Sequence, residues 1–195
     1  MENKSKIRHI VIDNFYEDPL LIRDFALKQT YEKDSRLPRF HTIKQFATED
    51  HKIYFEKIIE PYNGKITDFY CSIFNGTFQY SLPGIVPWVH YDDVDWAAII
   101  YLTPEASECC GTSFYAFEDG TQCEKDEIEN NNSELSEKYN SDITRWKLID
   151  SIGNIFNRLV IYDAKYFHKP SNYFGTELKN SRLFQVFFFN TEIHN

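Results

Sequence analysis

Trp96-Ala-Ala-Ile-Ile-Tyr-Leu102 is an apolar run without helical spacing, and Thr103-Pro104 directly after it breaks regular structure. Its residues are mostly β-branched, aromatic or small, which is typical of a buried strand. Further short runs of strand-like composition follow along the chain, at residues 112–115, 158–163 and 182–189. Several strands of this kind predict a β-sandwich or β-barrel.

A His-x-Asp triplet, His90-Tyr91-Asp92, precedes this strand, and His168 follows the run at 158–163. Two imidazoles and one carboxylate are the ligand set of facial-triad non-haem Fe(II) sites, which keep coordination positions open. Because alternate side chains of a strand share one face, His90 and Asp92 would point the same way, roughly 6.6 Å apart. We therefore predict that His90, Asp92 and His168 bind one metal ion, with Tyr91 turned away.

The triplet by itself is a weak signal. The chain has six His and 30 acidic residues among 195 positions, so chance alone gives roughly one His-x-acid triplet. The predicted strands after the triplet and before His168 supply the context that favours a metal site. The other histidines lack this context and are predicted to be hydrogen-bonded core or surface residues: His9, His41, His51 and His194.

Several segments resemble, in order, the core of the Fe(II)/2-oxoglutarate-dependent oxygenases, in the branch related to prolyl 4-hydroxylases. They are Trp88-Val-His-Tyr-Asp92, Ala98-Ile-Ile-Tyr-Leu102, Cys110-Gly-Thr112, Asn157-Arg-Leu-Val-Ile-Tyr-Asp163, His168 and Ser181-Arg-Leu183. The opening Ile10-Val-Ile-Asp-Asn-Phe15, with Pro19 after it, also resembles the N-terminal part of an uncharacterised family of such oxygenases. The matches extend over residues 10–189, nearly the whole chain.

The resemblance implies a mainly β fold with flanking α-helices. It is a double-stranded β-helix, a cupin-like jelly roll of two mostly antiparallel sheets. A single oxygenase domain would span residues 1–195, and the hydrophobic content of 42% suits one core. Residues 1–66 would form an N-terminal strand and helices that pack on the barrel. Residues 67–190 would form the β-helix core, with an acidic insert at 118–142.

The same resemblance implies a cosubstrate site at Arg182 and Tyr101. In this superfamily a basic residue after the distal histidine holds the far carboxylate of 2-oxoglutarate, and Arg182 follows His168 by 14 residues. A guanidinium can bind a carboxylate through two parallel hydrogen bonds. Tyr101 matches a tyrosine that often donates its hydroxyl to the same carboxylate. Many relatives carry Ser or Thr two residues after the arginine; here Phe184 takes that place and removes a donor.

Strand periodicity adds a prediction about the wall beside the cosubstrate. If Arg182 faces the interior, the alternate residues Phe184, Val186 and Phe188 face it too. These three side chains would form an apolar surface next to the cosubstrate.

The implied activity is a dioxygenase reaction that uses Fe(II), 2-oxoglutarate and O2. It would hydroxylate an unactivated C–H bond of an amino-acid-like small molecule or a peptidyl substrate, releasing succinate and CO2. Two alternatives remain open. One is a cupin-type metal enzyme that does not use 2-oxoglutarate and leaves Arg182 idle. The other is a non-catalytic jelly-roll module that binds a peptide or sugar.

Composition and sequence patterns limit the partners and the cellular location that we expect for this protein. The net charge of −9 argues against nucleic acid as a substrate, because binding to phosphate backbones requires clustered Lys and Arg. No apolar run is long enough for a membrane span, and the first residues do not resemble a signal peptide. The cysteines lack the paired spacing of zinc or thioredoxin sites. We therefore expect a cytoplasmic protein with reduced thiols; the sequence leaves its oligomeric state open.

Two helices are predicted before the core. Asp18-Pro19 favours an N-cap followed by proline at the first position of a helix over 20–28. Thr48-Glu-Asp50 opens a second helix with one apolar face, which Pro61 and Asn63-Gly64 would end. Between the two helices, residues 34–41 have an irregular sequence; they could reach the mouth of the site, but a surface loop is the default expectation.

Residues 118–142 differ in composition from the rest of the chain. They hold nine acidic residues against two lysines and include Asn130-Asn-Asn-Ser133. With almost no large aliphatic side chains, the segment cannot bury enough surface to order itself and is predicted to be a loop or mobile insert. One hypothesis is a lid near the site mouth that favours cationic substrates, since clustered carboxylates attract them. The alternative is a solvated loop without function.

Overall fold

A computed structural model describes residues 8–34, 39–63, 65–84, 86–125 and 135–192 of the chain. The strands are β1 (His9–Ile12), β2 (Tyr31–Lys33), β3 (Arg39–Thr42), β4 (Ile66–Asp68), β5 (Phe78–Ser81), β6 (Trp96–Tyr101), β7 (Thr112–Phe117), β8 (Trp146–Ile152), β9 (Leu159–Asp163), β10 (His168–Pro170) and β11 (Arg182–Thr191). The α-helices are α1 (Pro19–Leu27), α2 (Glu49–Asn63) and α3 (Leu135–Tyr139).

The strands form two antiparallel sheets. The large sheet has the order β1-β9-β6-β11-β5-β3-β2, with β4 also paired to β11, and the small sheet has the order β10-β7-β8. Side chains of both sheets meet in one buried cluster that includes Ile99 and Val186 from the large sheet and Phe114 and Ile152 from the small one. The predicted double-stranded β-helix is therefore confirmed.

Strand β6 is apolar throughout because both of its faces are covered. Trp96, Ala98 and Ile100 pack in the cluster under the helices, whereas Ala97, Ile99 and Tyr101 pack in the cluster between the sheets. A strand that is buried on both sides loses the polar alternation of a surface strand. This explains why the sequence from Trp96 shows no polar alternation.

Helices α1 and α2 cover the outer face of the large sheet. Ala26 of α1 and Phe55 and Ile59 of α2 are fully buried against that sheet. Helix α1 begins as predicted: the Asp18 carboxylate accepts a hydrogen bond of 3.0 Å from the backbone N–H of Leu21. Helix α2 differs slightly from the prediction, because it continues through Pro61 to Asn63.

The N-terminal third contributes more to the sheet than the sequence predicts. Strand β1 pairs with β9 at one edge, and β3 pairs with β5 on the other side. The predicted surface loop at 34–41 is wrong for its described C-terminal part, because Arg39 begins β3. Residues 35–38 lie outside the described residues.

The small sheet is covered on its outer face by part of the acidic insert. Leu135 of α3 packs with Phe117, Trp146 and Phe167 in a third apolar cluster, and the carbonyl oxygen of Asn140 accepts a 2.9 Å hydrogen bond from the backbone N–H of Val89. The prediction that the insert cannot order itself is therefore wrong for residues 135–142. Residues 126–134, the centre of the insert, lie outside the described residues.

Two further findings concern the membrane and the thiols. None of the helices in the described ranges is both long and apolar enough to cross a membrane. Cys110 and Cys123 are buried, Cys71 and Cys109 are exposed, and none of the four forms a disulfide bond.

Candidate metal and cosubstrate site

The two predicted metal-binding histidines lie directly opposite each other. The backbone N–H of His90 donates to the carbonyl oxygen of His168 at 3.0 Å, and His168 returns the bond to His90 at 2.8 Å. This isolated antiparallel bridge brings the two imidazole centroids to 4.5 Å from each other. His168 is the first residue of β10, but His90 and Asp92 do not belong to a regular strand. The bridge therefore replaces the strand geometry that the sequence predicted.

Asp92 lies beside the two histidines, in a loop that hydrogen bonds hold in place. Its backbone N–H donates to the carbonyl oxygen of Ala164 at 2.9 Å, and Asp95 accepts a hydrogen bond from the backbone N–H of Thr191 at 2.9 Å. The ring of Tyr91 packs beside that of Phe167, with centroids 6.1 Å apart. The loop thus holds Asp92 beside the histidines at fixed backbone positions.

His90, Asp92 and His168 form the one cluster of three metal-ligating side chains found among the described residues. One ligand atom from each lies within 4.8 Å of the others, and His168 Nε2 lies 3.4 Å from Asp92 Oδ2. The arrangement has the donor set of a facial triad, two imidazole nitrogens and one carboxylate oxygen.

Hydrogen bonds to the outer ring nitrogens prepare both histidines for a metal. Nδ1 of His90 lies 3.1 Å from the carbonyl oxygen of Trp88, and Nδ1 of His168 lies 2.8 Å from that of Tyr166. A carbonyl oxygen can only accept, so each Nδ1 carries the proton and each Nε2 presents a lone pair to the cluster. Metal-binding histidines are usually oriented in this way. The residues therefore fit a divalent transition metal.

The protonation states of His90 and Asp92 also favour metal binding. Burial, together with the neighbouring His168, lowers the pKa of His90 to about 4, so the ring is neutral at neutral pH. Burial by itself would raise the pKa of Asp92, but the adjacent His168 imidazole, together with His90 and Arg39, lowers it overall. A neutral imidazole and an ionised carboxylate are the forms that bind metal.

These ligands open into a cavity of about 760 Å³ between the two sheets. Phe184, Val186 and Phe188 all line it, so the predicted apolar wall of β11 is present. Trp88, Phe74 and Val94 add further apolar surface. A cavity that combines apolar walls with converging polar groups is the usual form of a small-molecule site.

Arg182 lies in the wall of this cavity and is only 1% exposed. Its Nε donates to the carbonyl oxygen of Cys110 at 3.0 Å and its Nη2 to that of Gly111 at 3.2 Å. The guanidinium also lies over the Phe184 ring, with Cζ 4.7 Å from the ring centroid. Since arginine has five N–H donors, Nη1 and part of Nη2 remain for a ligand. Arg182 thus presents a fixed, desolvated cation to the cavity.

Tyr101 lies next to Arg182, whose Cζ is 5.3 Å from the centroid of the tyrosine ring. It is fully buried and is not among the described residues that line the cavity. Its hydroxyl lies 2.7 Å from Oγ1 of Thr112, which does line the cavity. The Tyr101 hydroxyl is thus hydrogen-bonded to a cavity residue that follows Gly111, one of the acceptors of Arg182.

Sequence reasoning did not assign Arg39, Tyr162 or Tyr173 to the site, although all three line the cavity. The Tyr162 hydroxyl lies 3.4 Å from Nε2 of His168, and burial raises its pKa well above the usual range. Alternation within β9 could have shown which face Tyr162 occupies. Arg39 and Tyr173 lie in short segments without a periodic signal.

The remaining histidines within the described ranges do not line the cavity. His9 lies 3.6 Å from the Asp150 carboxylate, His41 lies 3.7 Å from Glu32, and Nε2 of His51 lies 3.1 Å from the Tyr16 hydroxyl. These contacts agree with the predicted core and surface roles. His194 lies outside the described residues.

Known proteins provide a comparison at the level of the fold. No protein-family model matches the sequence, and no curated protein matches it either. Solved structures do match. A prolyl-4-hydroxylase from Pseudomonas putida is similar at a TM-score of 0.50 and 12% identity, over 98% of this chain and 96% of that one.

Two further solved structures extend this similarity. The non-haem α-ketoglutarate-dependent epimerase SnoN from nogalamycin biosynthesis matches at a TM-score of 0.59 and 8% identity, over 94% of this chain and 78% of that one. HygX from Streptomyces hygroscopicus, crystallised with nickel and 2-oxoglutarate, matches at 0.52 and 9%, over 94% and 83% of the two chains. The chain therefore has the fold of the Fe(II)/2-oxoglutarate-dependent oxygenases.

Proposed function

We propose that the protein is an Fe(II)- and 2-oxoglutarate-dependent oxygenase that hydroxylates a C–H bond of an amino-acid-like or peptidyl substrate. The observation that carries this proposal is the convergence of two kinds of group on one cavity. His90, Asp92 and His168 supply a metal-binding face, and Arg182 supplies a buried cation in the same wall.

The three ligands have separate roles. His90 and His168 offer neutral Nε2 atoms, held in that tautomer by the carbonyl oxygens of Trp88 and Tyr166. Asp92 contributes the negative charge that partly neutralises a divalent cation. Fe(II) bound here would supply the redox chemistry that activates O2 and couples it to decarboxylation of 2-oxoglutarate.

Arg182 is proposed to bind the far carboxylate of 2-oxoglutarate. Two of its donors already bond to the carbonyl oxygens of Cys110 and Gly111, so the guanidinium plane is fixed before a ligand arrives. A charge-assisted pair is strong in a site shielded from water, because the effective dielectric constant is low. Thr112 adds a hydroxyl donor, and Tyr101 acts as a positioning residue through its hydrogen bond to Thr112.

The apolar residues of β11 shape the space beyond these charges. Phe184, Val186 and Phe188 exclude water from one side of the cavity and provide a surface for the carbon skeleton of a substrate. Exclusion of water favours reaction at a C–H bond over unproductive side reactions.

An anaerobic spectroscopic titration tests the proposal. Fe(II) is added to the metal-free protein first, and 2-oxoglutarate second. A visible metal-to-ligand charge-transfer band on the second addition is the expected result, because only a 2-oxo acid chelated to Fe(II) produces it. Fe(II) binding without the band would favour the cupin-type metal enzyme. Absence of Fe(II) binding would favour a non-catalytic binding module.

A further inference from the structure

Arg39 and Arg182 lie in one row of the large sheet. The Cα partner of Arg39 in β5 is Ser81, and the same Ser81 is the partner of Arg182 in β11. Residues opposite one another in a sheet point to the same face, and neighbouring strands are roughly 4.8 Å apart. All three side chains line the cavity. The cavity wall therefore presents two arginines, about two strand spacings apart.

The Arg39 guanidinium contacts the protein through Nε and through one face of its plane. Its Nε lies 3.5 Å from Oδ2 of Asp34, whose side chain is 10% exposed. Its Cζ lies 4.5 Å from the centroid of the Phe74 ring, another cavity residue. These contacts fix the plane of the guanidinium from the Nε side and from one face. Nη1 and Nη2 form no hydrogen bond with the residues that the structure describes, and the side chain lines the cavity.

Arg39 also differs from Arg182 in its exposure. Its side chain is 21% exposed, whereas Arg182 is only 1% exposed. Burial lowers the pKa of Arg39, although the charges of Asp34 and Asp92 oppose this effect. A partly desolvated cation that keeps unused donors gains most from a ligand with an anionic group.

We infer that Arg39 binds a carboxylate of the organic substrate, separately from the cosubstrate carboxylate at Arg182. This inference rests on the proposed function, because it assigns the second arginine to the substrate of the same site. The substrate is then a carboxylate-bearing small molecule with an apolar body that packs on Phe74 and the β11 wall. Its charge is opposite to that predicted from the acidic insert, whose described residues do not line the cavity.

Arg39 is thus a specificity-determining residue. Arg182 selects the cosubstrate, and Arg39 selects acids over neutral analogues. Because a guanidinium binds a carboxylate by a pair of hydrogen bonds, an amide of the same shape should bind much less well.

The test uses protein loaded with Ni(II), so that no turnover occurs, and saturated with 2-oxoglutarate to occupy Arg182. The probes are four acids, each paired with its primary amide: benzoate, phenylacetate, 3-phenylpropanoate and L-phenylalanine. Binding is measured by saturation-transfer NMR and calorimetry. We expect at least one acid to bind more tightly than its amide. Arg39→Gln should lower the affinity for that acid by roughly tenfold to a hundredfold and leave the affinity for the amide unchanged.

Three control variants separate a binding role from a structural one. Asp34→Asn removes the counter-charge and should keep or increase the preference for the acid. Arg158→Gln makes the same substitution at an arginine paired with Asp13 outside the cavity, and should change neither affinity. Arg182→Gln should weaken the binding of 2-oxoglutarate, whereas Arg39→Gln should leave that affinity unchanged.

Several results would overturn the inference. They are failure of every acid to bind, equal affinity of acid and amide, or equal weakening of both by Arg39→Gln. A loss of 2-oxoglutarate affinity in Arg39→Gln would assign Arg39 to the cosubstrate and also overturn it. Failure of the proposed function is distinguishable, because 2-oxoglutarate would then not bind to the Ni(II) protein at all. In that case the effect of Arg39→Gln on the acid-to-amide ratio, measured without 2-oxoglutarate, still decides the inference.

Discussion

Arg182 and Gly111 are joined by a hydrogen bond of 3.2 Å from Nη2 to the glycine carbonyl oxygen, and Gly111 packs directly on the backbone of β8. A Cβ atom at Gly111 would lie 1.8 Å from the carbonyl oxygen of Ile152. The position of Arg182 therefore depends on the close approach of two backbones, which only glycine permits.

The first prediction follows from this contact. Gly111→Ala should lower the free energy of unfolding by about 1–3 kcal/mol or more, because the added methyl group pushes two backbones apart. It should also weaken 2-oxoglutarate binding, since Arg182 loses its fixed acceptor. Gly153→Ala is the matched control, because a Cβ there meets its nearest atom at 3.5 Å. Urea unfolding and calorimetry measure both effects; equal stability of the two variants would contradict the prediction.

The second prediction concerns Arg182 itself. Arg182→Leu removes the proposed partner of a desolvated carboxylate, and breaking a buried pair of this kind costs about 3–5 kcal/mol. We expect the affinity for 2-oxoglutarate to fall by at least roughly two to three orders of magnitude. Metal affinity should stay the same, because Arg182 is not a ligand. Parallel titrations with metal and with 2-oxoglutarate check this, and equal losses of both would argue for the cupin-type enzyme.

The third prediction concerns the metal ligands. His168→Ala should lower Fe(II) affinity by more than roughly a hundredfold, since even residues that only support ligands contribute tenfold or more. The protein should remain folded, which circular dichroism can establish. His41→Ala is the matched control, because His41 lies outside the ligand cluster and does not line the cavity. Wild-type iron affinity in His168→Ala would refute the triad.

The fourth prediction separates Tyr101 from Thr112. Thr112→Val removes a hydroxyl that lines the cavity, whereas Tyr101→Phe removes one that lies behind it. We expect the larger loss of 2-oxoglutarate affinity in Thr112→Val. Each variant leaves one buried hydroxyl without its partner, so each should lose about 1 kcal/mol of stability. A larger affinity loss in Tyr101→Phe would show that the tyrosine contacts the cosubstrate directly.

The fifth prediction concerns pH. Burial lowers the pKa of His51 to about 4, so the unfolded chain binds a proton at His51 more readily than the folded protein does. Folding stability from this residue is therefore fully present above about pH 6.5. It falls by up to about 1.4 kcal/mol per pH unit as the pH decreases toward 4. His51→Gln should have a shallower pH dependence than the wild type, as measured by urea unfolding at pH 7, 6 and 5. Parallel curves would contradict the assignment.

The sequence by itself determined the strands of the core and the sides of the sheet that their residues occupy. Alternation along β11 predicted that Arg182 and Phe184 share the interior face, because side-chain direction in a strand is a local property with a period of two. The capping of α1 by Asp18 was also predictable, since the capping hydrogen bond joins residues close in sequence. The His-x-Asp spacing and the family resemblance together pointed to the three candidate metal ligands that the fold brings into one cluster.

Tertiary structure alone decided which groups meet. The hydrogen-bonded bridge between His90 and His168 replaces the predicted strand geometry, and it depends on the pairing of two segments far apart in the chain. Tyr101 bonds to Thr112 of the other sheet, and alternation within β6 cannot reveal a contact between sheets. Arg39 enters the cavity only because β5 joins β3 to β11 in one register. Local periodicity fixes the face of each strand, whereas the register between strands results from long-range packing.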